Sequence, residues 1–597
     1  MNFGKISLAA FLATIAFQAF GIGAATSATP ASAADAGTDW PMMPHDLANT
    51  RFSPLAQITP ENAAKLKLHA SWFTGIKRGH EEGPIVIGGM MYLVGPWPNE
   101  LVAFDLTQPG LAIKWRYEPH PKPFAQGVAC CDIVNRGAAY ADGRVFINTL
   151  DVQTIAVDAA TGKELWRRQL GDSTTGETIT MAPMVVKGKV LVGNAGSELG
   201  VRGWLTALDA ATGATVWRAW STGPDRDVLI GPDFKPFYAD DRGTDLGVKS
   251  WPIDGWKHGG GTAWGWVSYD PALDLVYYGT ANPAPWNAEQ RPGDNKWTAG
   301  IFARSPDTGA ARWFYQYAAH DKHDYNGTNE NVLLDLDIAG RRRAVLVHPD
   351  RDGYVYVMDR ATGQVLSADP FVKVTTSTGV DLETGRLNFD PDYEPRGGRD
   401  VRDVCPSSPG GKDWQPSAWS PRTGLLYMPH QNLCQDMTAV EASYISGTPF
   451  LGAEVRIYAG PGGNRGVFGA WDPVKRKMVW SIPERFPVWS GAVATAGDVV
   501  FYGTMDGWFK AVDARDGHLL WQYKVDSGIV GQPICYQGPD GREYVAVVSG
   551  VGGWAGKVVS MDLDVRDRTA AKGFAGAMAD LPQYTQKGGT LYVFSLD

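Results

Sequence analysis

Two adjacent cysteines, Cys130 and Cys131, are the residues of this 597-residue sequence whose type and spacing most directly suggest chemistry. A disulfide between neighbours in the chain closes a small ring with a strained peptide geometry. It encloses almost no loop, so it adds little stability by restricting the unfolded chain. A ring of this kind would serve as a rigid surface or as a redox group. The alternative, that both cysteines stay reduced or pair elsewhere, remains open at this point.

A second set of residues offers oxygen ligands. Glu198 lies in a glycine-flanked turn, Asn282 in a proline-stiffened loop, and Asp324 in a segment rich in titratable groups. Carboxylate and amide oxygens are the ligands that a hard cation such as calcium prefers. Two alternatives stand beside this interpretation. His320 and His323 have the spacing of transition-metal ligands, and each oxygen ligand taken singly could be an ordinary turn residue.

A run of three glycines followed by Trp264 and Trp266 places flat aromatic rings beside backbone that a ligand can approach closely. These candidate stretches lie between copies of a short repeat rather than within it. The repeat consists of Ala-x-Asp, a turn that contains Gly, and Trp eight residues after the Asp, as in AVDAATGKELW and ALDAATGATVW. The copies differ in strength and are centred on these pairs or single residues: Asp105 and Trp115, Asp158 and Trp166, Asp209 and Trp217, Trp313, Asp359, Asp472 and Trp480, Asp513 and Trp521.

Each copy is typical of a β-hairpin. The residues before it are strand-like, the Asp can bond turn amides, the Gly supplies a positive φ, and the Trp anchors the next strand. Seven copies and an N-terminal stretch ending near Trp72 favour a large all-β propeller over a solenoid. A sandwich, or several small β-domains, is the alternative. No Pro/Ser-rich or charged linker separates such domains in the sequence.

The N-terminal residues predict export. Lys5, an apolar or small-residue stretch and an Ala-Ser-Ala site suggest a cleaved signal peptide over residues 1–33, followed by one domain over residues 34–597. The net charge of −9 argues against a nucleic-acid partner. Export permits disulfides, and five cysteines leave at least one unpaired, for which Cys535 is the candidate. The sequence has no C-x-x-C-H motif for attaching a c-type haem.

The segments between the repeats closely resemble the quinoprotein alcohol dehydrogenases, and within that family the methanol dehydrogenase branch. The matching motifs extend from about residue 40 to the C-terminus: VACCDIVNRG, GSELGVRGW, GGGTAWGW, ANPAPWN, RPGDNKWT, HPDRDG, RFPVWSG and GVGGW. Long motifs in this order are far more specific than the repeat alone. The resemblance implies an eight-bladed β-propeller with tryptophan-docking repeats that binds pyrroloquinoline quinone (PQQ) on its axis.

Carried over residue by residue, the resemblance implies a complete site. Cys130 and Cys131 would form a disulfide that covers one face of the quinone, and Trp264 would stack on the other. A second disulfide would join Cys405 and Cys434. Further positions match residues that bind the cofactor: Glu81, Arg136, Thr180, Gly196, Ser197, Thr262, Trp489 and Trp554. Glu198, Asn282 and Asp324 match metal ligands, Asp324 also matches the catalytic base, and Arg351 matches the cation at the reactive quinone oxygen.

Two positions depart from the pattern. Asn326 stands where lanthanide-using relatives carry an additional Asp, which favours calcium because a trivalent ion prefers the additional charge. Asp413 stands where relatives usually have Asn near the quinone, and a carboxylate cannot donate a hydrogen bond there unless it is protonated.

The expected function is oxidation of a small primary alcohol in the periplasm by hydride transfer to metal-bound PQQ. Asp324 would take the hydroxyl proton and Arg351 would stabilise charge on the quinone. Electrons would leave to a soluble cytochrome c, since the chain has no haem site. A lanthanide-dependent form of the same enzyme and a non-catalytic envelope scaffold are the alternatives. The alcohol and the oligomeric state, with a homodimer as one option, stay open, and no membrane span is expected.

Overall fold

A computed structural model describes Met1 and residues 37–596, and the latter lie in one compact unit. The predicted signal peptide therefore lies outside the described residues, apart from Met1. In the described part of the chain, no helix is both long and apolar enough to span a bilayer.

Eight sheets of four antiparallel strands form the blades of a β-propeller, so the predicted all-β class and architecture are confirmed. The strands of blades 1 to 4, in chain order, are Ile85–Ile87, Met90–Val94, Leu101–Asp105 and Ala112–Tyr117; Ala139–Ala141, Arg144–Thr149, Gln153–Asp158 and Glu164–Gln169; Met184–Val186, Lys189–Gly193, Trp204–Asp209 and Thr215–Trp220; Val267–Asp270, Leu275–Thr280, Gly300–Arg304 and Ala311–Gln316. Those of blades 5 to 8 are Val332–Ile338, Arg341–Pro349, Tyr354–Asp359 and Val365–Pro370; Ala418–Ser420, Leu425–Gln431, Gly466–Asp472 and Lys477–Glu484; Ala492–Thr495, Val499–Gly503, Trp508–Asp513 and Leu519–Lys524; Ile534–Gln537, Glu543–Ser549, Thr590–Ser595 and Lys67–Phe73.

Blade 8 joins the two ends of the chain. Its first three strands come from the C-terminal region, and its fourth, Lys67–Phe73, pairs antiparallel with Thr590–Ser595. A short strand, Phe52–Ser53, also pairs in parallel with the first strand of blade 7. Because the N-terminal strand forms the outer strand of the last blade, backbone hydrogen bonds join the two ends of the chain and close the ring.

The repeat identified in the sequence forms the contact between neighbouring blades. Asp209 Oδ1 accepts hydrogen bonds from both the backbone N–H and the hydroxyl of Thr212, each at 2.8 Å. The indole of Trp217 donates to the carbonyl of Pro306 in the next blade at 2.9 Å. A Cβ built on Gly309, which has a φ of +72°, would lie 2.6 Å from the Trp217 ring. Glycine is therefore required there both for its conformation and for the close approach of the tryptophan.

The same indole-to-carbonyl bond recurs around the ring, at the tryptophans Trp115, Trp166, Trp313, Trp480 and Trp521. In blade 8, Trp72 instead packs edge-on against Phe104 of blade 1, with ring centres 5.1 Å apart. Blade 5 has no tryptophan at this position, because Ser367 occupies it. At that junction an apolar cluster that includes Trp419 and Trp471 of blade 6 packs against Val357 of blade 5.

A smaller layer lies outside the blades. It contains the three-stranded sheet Asp400–Val404, Leu433–Ala439 and Ala453–Ala459, and the two-stranded sheet Ser377–Val380 and Leu387–Phe389. The α-helices are Ala125–Val128, Asp225–Val228, Leu246–Lys249, Gly553–Ser560 and Phe574–Ala577, and the 3-10 helices are Ala63–Lys65, Ser173–Thr175, Ser197–Leu199, Ala239–Asp241, Gly255–His258, Ala288–Gln290, Pro391–Tyr393 and Leu581–Gln583. The three-stranded sheet and the last two α-helices share one apolar cluster with Trp489 and Trp554.

Candidate active site

Most of the residues singled out in the sequence line one cavity. Its wall is built from the loops that connect or follow strands of different blades, together with residues near the last two helices. The lining residues are Glu81, Ala129, Cys130, Cys131, Asp132, Val134, Arg136, Thr178, Thr180, Ala195, Gly196, Glu198, Trp264, Asp324, Arg351, Asp413, Trp414, Trp489, Trp554 and Lys572.

A buried arginine forms one side of the cavity. Arg136 pairs with Glu81 at 2.9 Å (Nη2 to Oε2), and its Nη1 donates to the Thr180 hydroxyl at 2.8 Å. Its guanidinium carbon lies 5.1 Å from the ring centre of Trp264 and 4.7 Å from that of Trp414. Burial raises the pKa of Glu81 to about 8, although Arg136 opposes the shift. Arg136 Nε is buried without a hydrogen-bond partner. This cation and its aromatic neighbours therefore suit a flat ligand with carboxylate groups.

The two adjacent cysteines face the same cavity. Cys130 and Cys131 are free thiols in the structure rather than the expected disulfide, and their sulfur atoms are 2.8 Å apart. The two sulfur atoms are already in contact. Oxidation and a local adjustment of geometry would convert the two thiols into the expected disulfide. The Cys130–Cys131 disulfide stays a prediction.

The other cysteines occupy ordinary positions. Cys405 and Cys434 form a disulfide that links the residue after the strand Asp400–Val404 to the strand Leu433–Ala439. Cys535 is a buried free thiol, as expected for the unpaired cysteine, and donates to Glu543 at 3.1 Å.

The candidate oxygen ligands Glu198 and Asp324 line the same cavity as the two cysteines. Asp324 is buried, and its Oδ1 has no hydrogen-bond partner. Glu198 Oε2 lies 3.7 Å from the sulfur of Cys130. The backbone carbonyl of Asn282 accepts from the N–H of Gly261, and its side chain is buried behind the lining residues. An unpartnered carboxylate oxygen in a set of oxygen donors fits a hard cation.

Three predicted residues do not line the cavity. Ser197 and Thr262 are buried and share a hydrogen bond of 2.8 Å between their hydroxyl oxygens. Asn282 is the third, and a Cβ on Gly260 would collide with its carbonyl oxygen at 2.6 Å. These residues support the wall formed by Gly196 and Glu198.

Backbone bonds within the His-rich segment fix the position of Asp324. The Asp321 carboxylate accepts from the backbone N–H groups of His323, Asp324 and Tyr325 at 3.0 to 3.1 Å. The two histidines bond carbonyl oxygens instead of facing each other: His320 that of Ala288 and His323 that of Tyr393. Among the described residues, no three His, Cys, Asp or Glu side chains are arranged to hold a metal.

Arg351 lies between two carboxylates. Its Nη2 bonds Asp413 Oδ1 at 2.8 Å, and its Nη1 bonds Asp324 Oδ2 at 3.2 Å. Burial opposes its charge, but Asp413 and Asp324 together raise the pKa of Arg351. Asp413 therefore acts here as an acceptor for Arg351, which accounts for an acid at a position where the resemblance leads one to expect an amide.

Asn326 also turns toward Arg351. In the amide orientation that satisfies both its ends, its oxygen accepts from Arg351 Nε at 3.2 Å and from Nη1 at 2.9 Å. Its nitrogen then donates to the Thr328 hydroxyl. Asn326, which stands where lanthanide-using relatives are expected to carry an additional Asp, therefore bonds Arg351.

Two of the lining residues that the sequence interpretation did not assign to the site are large or charged, Trp414 and Lys572. Trp414 directly follows Asp413 and covers the Arg136 guanidinium; its place within a glycine-rich run with an acid was a signal that could have found it. Lys572 lies in the segment before the helix Phe574–Ala577, which matches none of the quoted motifs. Only the folded chain brings its side chain to the cavity.

The family model described as the β-propeller domain of PQQ-dependent glucose, ethanol and alcohol dehydrogenases matches residues 40–383 and 466–545. The lanthanide-dependent methanol dehydrogenase of Methylacidiphilum fumariolicum is 52% identical over 564 residues, which cover 94% of this chain and 92% of the relative. Methanol dehydrogenase (cytochrome c) subunit 1 of Methylorubrum extorquens is 43% identical over 578 residues, with 94% and 91% covered. A solved europium-containing methanol dehydrogenase superposes with a TM-score of 0.92 at 52% identity, covering 94% of this chain and 98% of the other.

These relatives contradict the expectation of calcium. The relatives that are 52% identical are named for a lanthanide or for europium, whereas the expectation of calcium depended on Asn326 alone. The choice of ion depends on the charge and geometry of the entire donor set, so one side chain was too little to decide it. The propeller, the cavity and these similarities lead to one conclusion: the chain belongs to the PQQ-dependent alcohol dehydrogenase family.

Proposed function

We propose that this protein oxidises a small primary alcohol, with methanol as the first candidate, to the aldehyde. PQQ and a lanthanide ion are the proposed cofactors, and a soluble cytochrome c is the proposed electron acceptor. The relatives named above support the substrate class, the ion and the acceptor. The observation that carries the proposal is the unpartnered Oδ1 of buried Asp324, next to Arg351 in the cavity.

The residues of the cavity fit the cofactor by their chemistry. Arg136, Glu81 and Thr180 form a hydrogen-bonded group suited to carboxylates, while the Trp264 ring and the Cys130–Cys131 pair provide two flat surfaces. When bound, the quinone supplies a two-electron acceptor and the metal ion a Lewis acid.

The chain itself has to move one proton. We assign to Asp324 Oδ1 the role of accepting the hydroxyl proton of the alcohol. Burial raises the pKa of Asp324 well above its usual value, and Arg351 acts in the opposite direction. A cation held by Glu198, Asn282 and Asp324 favours the ionised carboxylate in the same way. Arg351, fixed by Asp413, stabilises negative charge that develops beside it.

The remaining parts of the proposal concern location and organisation. We propose that residues 1–33 are removed on export to the periplasm and that residues 34–597 act as one domain. A homodimer stays open. An acidic protein of net charge −9 suits a basic docking face on the cytochrome.

The test is reconstitution of the purified mature chain with PQQ and either lanthanum or calcium, followed by dye-linked oxidation of a series of alcohols. We expect turnover of methanol and other small primary alcohols with lanthanum. Absence of turnover with every ion and alcohol, despite quinone binding seen by absorbance, would contradict the proposal.

A further inference from the structure

Lys572 is a half-buried cation that lines the cavity next to the proposed metal ligands. Its Nζ lies 4.0 Å from Glu198 Oε2, and its side chain is 18% exposed. The ammonium group lies 5.6 Å from the ring centre of Trp286 and 5.7 Å from that of Trp554. Lys572 therefore faces the cavity as the ion-pair partner of a carboxylate.

The surrounding backbone fixes the approach of this side chain. Lys572 itself has a positive φ of 51°, and the carbonyl of the preceding Ala571 accepts from the Trp554 indole at 2.8 Å. The helix Phe574–Ala577 begins two residues later and packs into the apolar cluster that contains Trp554. The segment is held against the tryptophan that also lines the cavity, so the lysine is positioned by the fold.

The position has an electrostatic consequence. In the structure, Lys572 lies within ion-pair distance of Glu198, one of the two carboxylates of the proposed metal site. An ion held by Glu198 and Asp324 would take over this carboxylate and place a multiply charged cation near a half-buried ammonium group. Like charges in a partly desolvated site repel one another much more strongly than in water.

We propose that Lys572 is a built-in counter-charge of the metal site: it pairs with Glu198 when no ion is bound and weakens the binding of the ion. The inference rests on the proposed function, because it assumes that Glu198 and Asp324 hold the ion. Coulomb repulsion is proportional to the charge of the ion, so the effect of Lys572 is larger for a trivalent than for a divalent ion. Lys572 is thus a determinant of ion selectivity. This role does not require Lys572 to contact the alcohol.

The experiment compares ion binding by the wild-type mature chain and by Lys572→Met, which keeps the aliphatic length and removes the charge. Both proteins are freed of metal with a chelator, and lanthanum and calcium are titrated by calorimetry with and without bound PQQ. We expect about 10-fold tighter calcium binding by the variant and, from the ratio of the ionic charges, about 30-fold tighter lanthanum binding. The matched control is Lys510→Met. Lys510 is a half-buried lysine of blade 7 that pairs with Glu484 of blade 6, and its replacement should leave both affinities unchanged.

Equal affinities for wild type and variant, or the same gain for both ions, would overturn the inference, since a packing effect has no reason to follow ionic charge. If Lys572→Met does not fold, Lys572→Gln provides the same test with a polar side chain. The proposed function is judged separately by Asp324→Asn in the same titration. If Asp324→Asn binds lanthanum as tightly as wild type does, the metal site is contradicted. If Asp324→Asn weakens lanthanum binding but Lys572→Met does not change it, only the role of Lys572 is contradicted.

Discussion

The junctions between blades and the axial cavity are built according to opposite rules. At the junction of blades 3 and 4, Asp209 accepts from Thr212 within its own turn, and the Trp217 indole packs on Gly309 and donates to the carbonyl of Pro306. In the cavity, Asp324 and Arg136 each keep a buried polar atom without a partner. Unsatisfied buried groups cost stability, and the two in the cavity face the space that a bound ligand would fill. The comparison indicates that stability resides in the junctions and function in the cavity.

The same kind of residue therefore has different consequences in the two regions. An aspartate in a turn accepts backbone hydrogen bonds and stabilises a hairpin, whereas Asp324 has an oxygen free for a proton or an ion. A tryptophan at a junction fills a gap between sheets, whereas Trp264 offers its ring to the cavity and to two arginines. Paired substitutions in the two regions can separate the roles.

The largest difference is expected for the aspartates. Asp324→Asn should lower kcat by about 1,000-fold or more, because the amide cannot accept the hydroxyl proton. Asp209→Asn in the blade 3 turn should leave kcat unchanged and lower only the midpoint of thermal unfolding. Steady-state turnover and thermal unfolding, with quinone occupancy checked by absorbance, measure both effects. Retention of full turnover by Asp324→Asn would remove its assignment as the base.

The tryptophans should show the reverse pattern. Trp217→Ala should lower the free energy of unfolding by about 3 kcal/mol or more, because it leaves a cavity between two blades and an unbonded carbonyl of Pro306. Trp264→Ala should weaken PQQ binding with a smaller loss of stability, because its ring is only partly buried. Denaturant unfolding and quinone titration of both variants test this. If Trp217→Ala weakened quinone binding as much as Trp264→Ala, the separation between junction and cavity would fail.

A pH effect is expected where the regular junction is interrupted. His430 of blade 6 packs edge-on against Phe371, with ring centres 5.4 Å apart, and burial lowers its pKa to about 4. In the unfolded chain the pKa of a histidine is about 6.5. As the pH falls, His430 is therefore protonated in the unfolded chain at a higher pH than in the folded protein. The stability contributed by neutral His430 is complete above pH ~6.5 and is lost as the pH falls toward ~4, with about 2 kcal/mol lost by pH 5.

His430→Gln should remove this part of the pH dependence. The measurement is the difference in unfolding free energy between pH 7.5 and pH 5 for wild type and variant, with His518→Gln at an exposed turn as the control. The same loss on acidification in wild type and in His430→Gln would show that His430 does not cause it.

The smallest expected effect concerns the two cysteine pairs. Cys130→Ser together with Cys131→Ser should weaken PQQ binding about 10-fold and change stability little, since adjacent residues close almost no loop. Cys405→Ser together with Cys434→Ser should do the opposite, because that disulfide joins residues 29 positions apart and typically contributes about 2–4 kcal/mol. Quinone titration and thermal unfolding under oxidising conditions distinguish them. A large loss of stability in the Cys130/Cys131 variant would contradict its role as a surface of the cavity.

Much of the architecture could be predicted from the sequence because the blade repeat is local. The spacing from Asp209 to Trp217 is set by one turn and one strand, and the same spacing recurs at Asp158 and Asp513. The resemblance supplied the number of blades, and residues within its motifs, such as Arg136 and Trp264, do line the cavity. The choice of ion could not be predicted from Asn326, since that side chain turns to Arg351 and the charges around the ion come from several distant segments.

By itself, the sequence determined the propeller class and the residues of the quinone family, since these depend on local turns and ordered motifs; export stays a prediction from its N-terminal residues. Only the tertiary structure decided which side chains share the cavity. It placed Trp414 over Arg136 and closed Asp413 onto Arg351. It also brought Lys572, more than 370 residues away in the chain, to within 4.0 Å of Glu198. The physical reason is that charge and stacking act through space, and ring closure brings the ends of different blades to one axis.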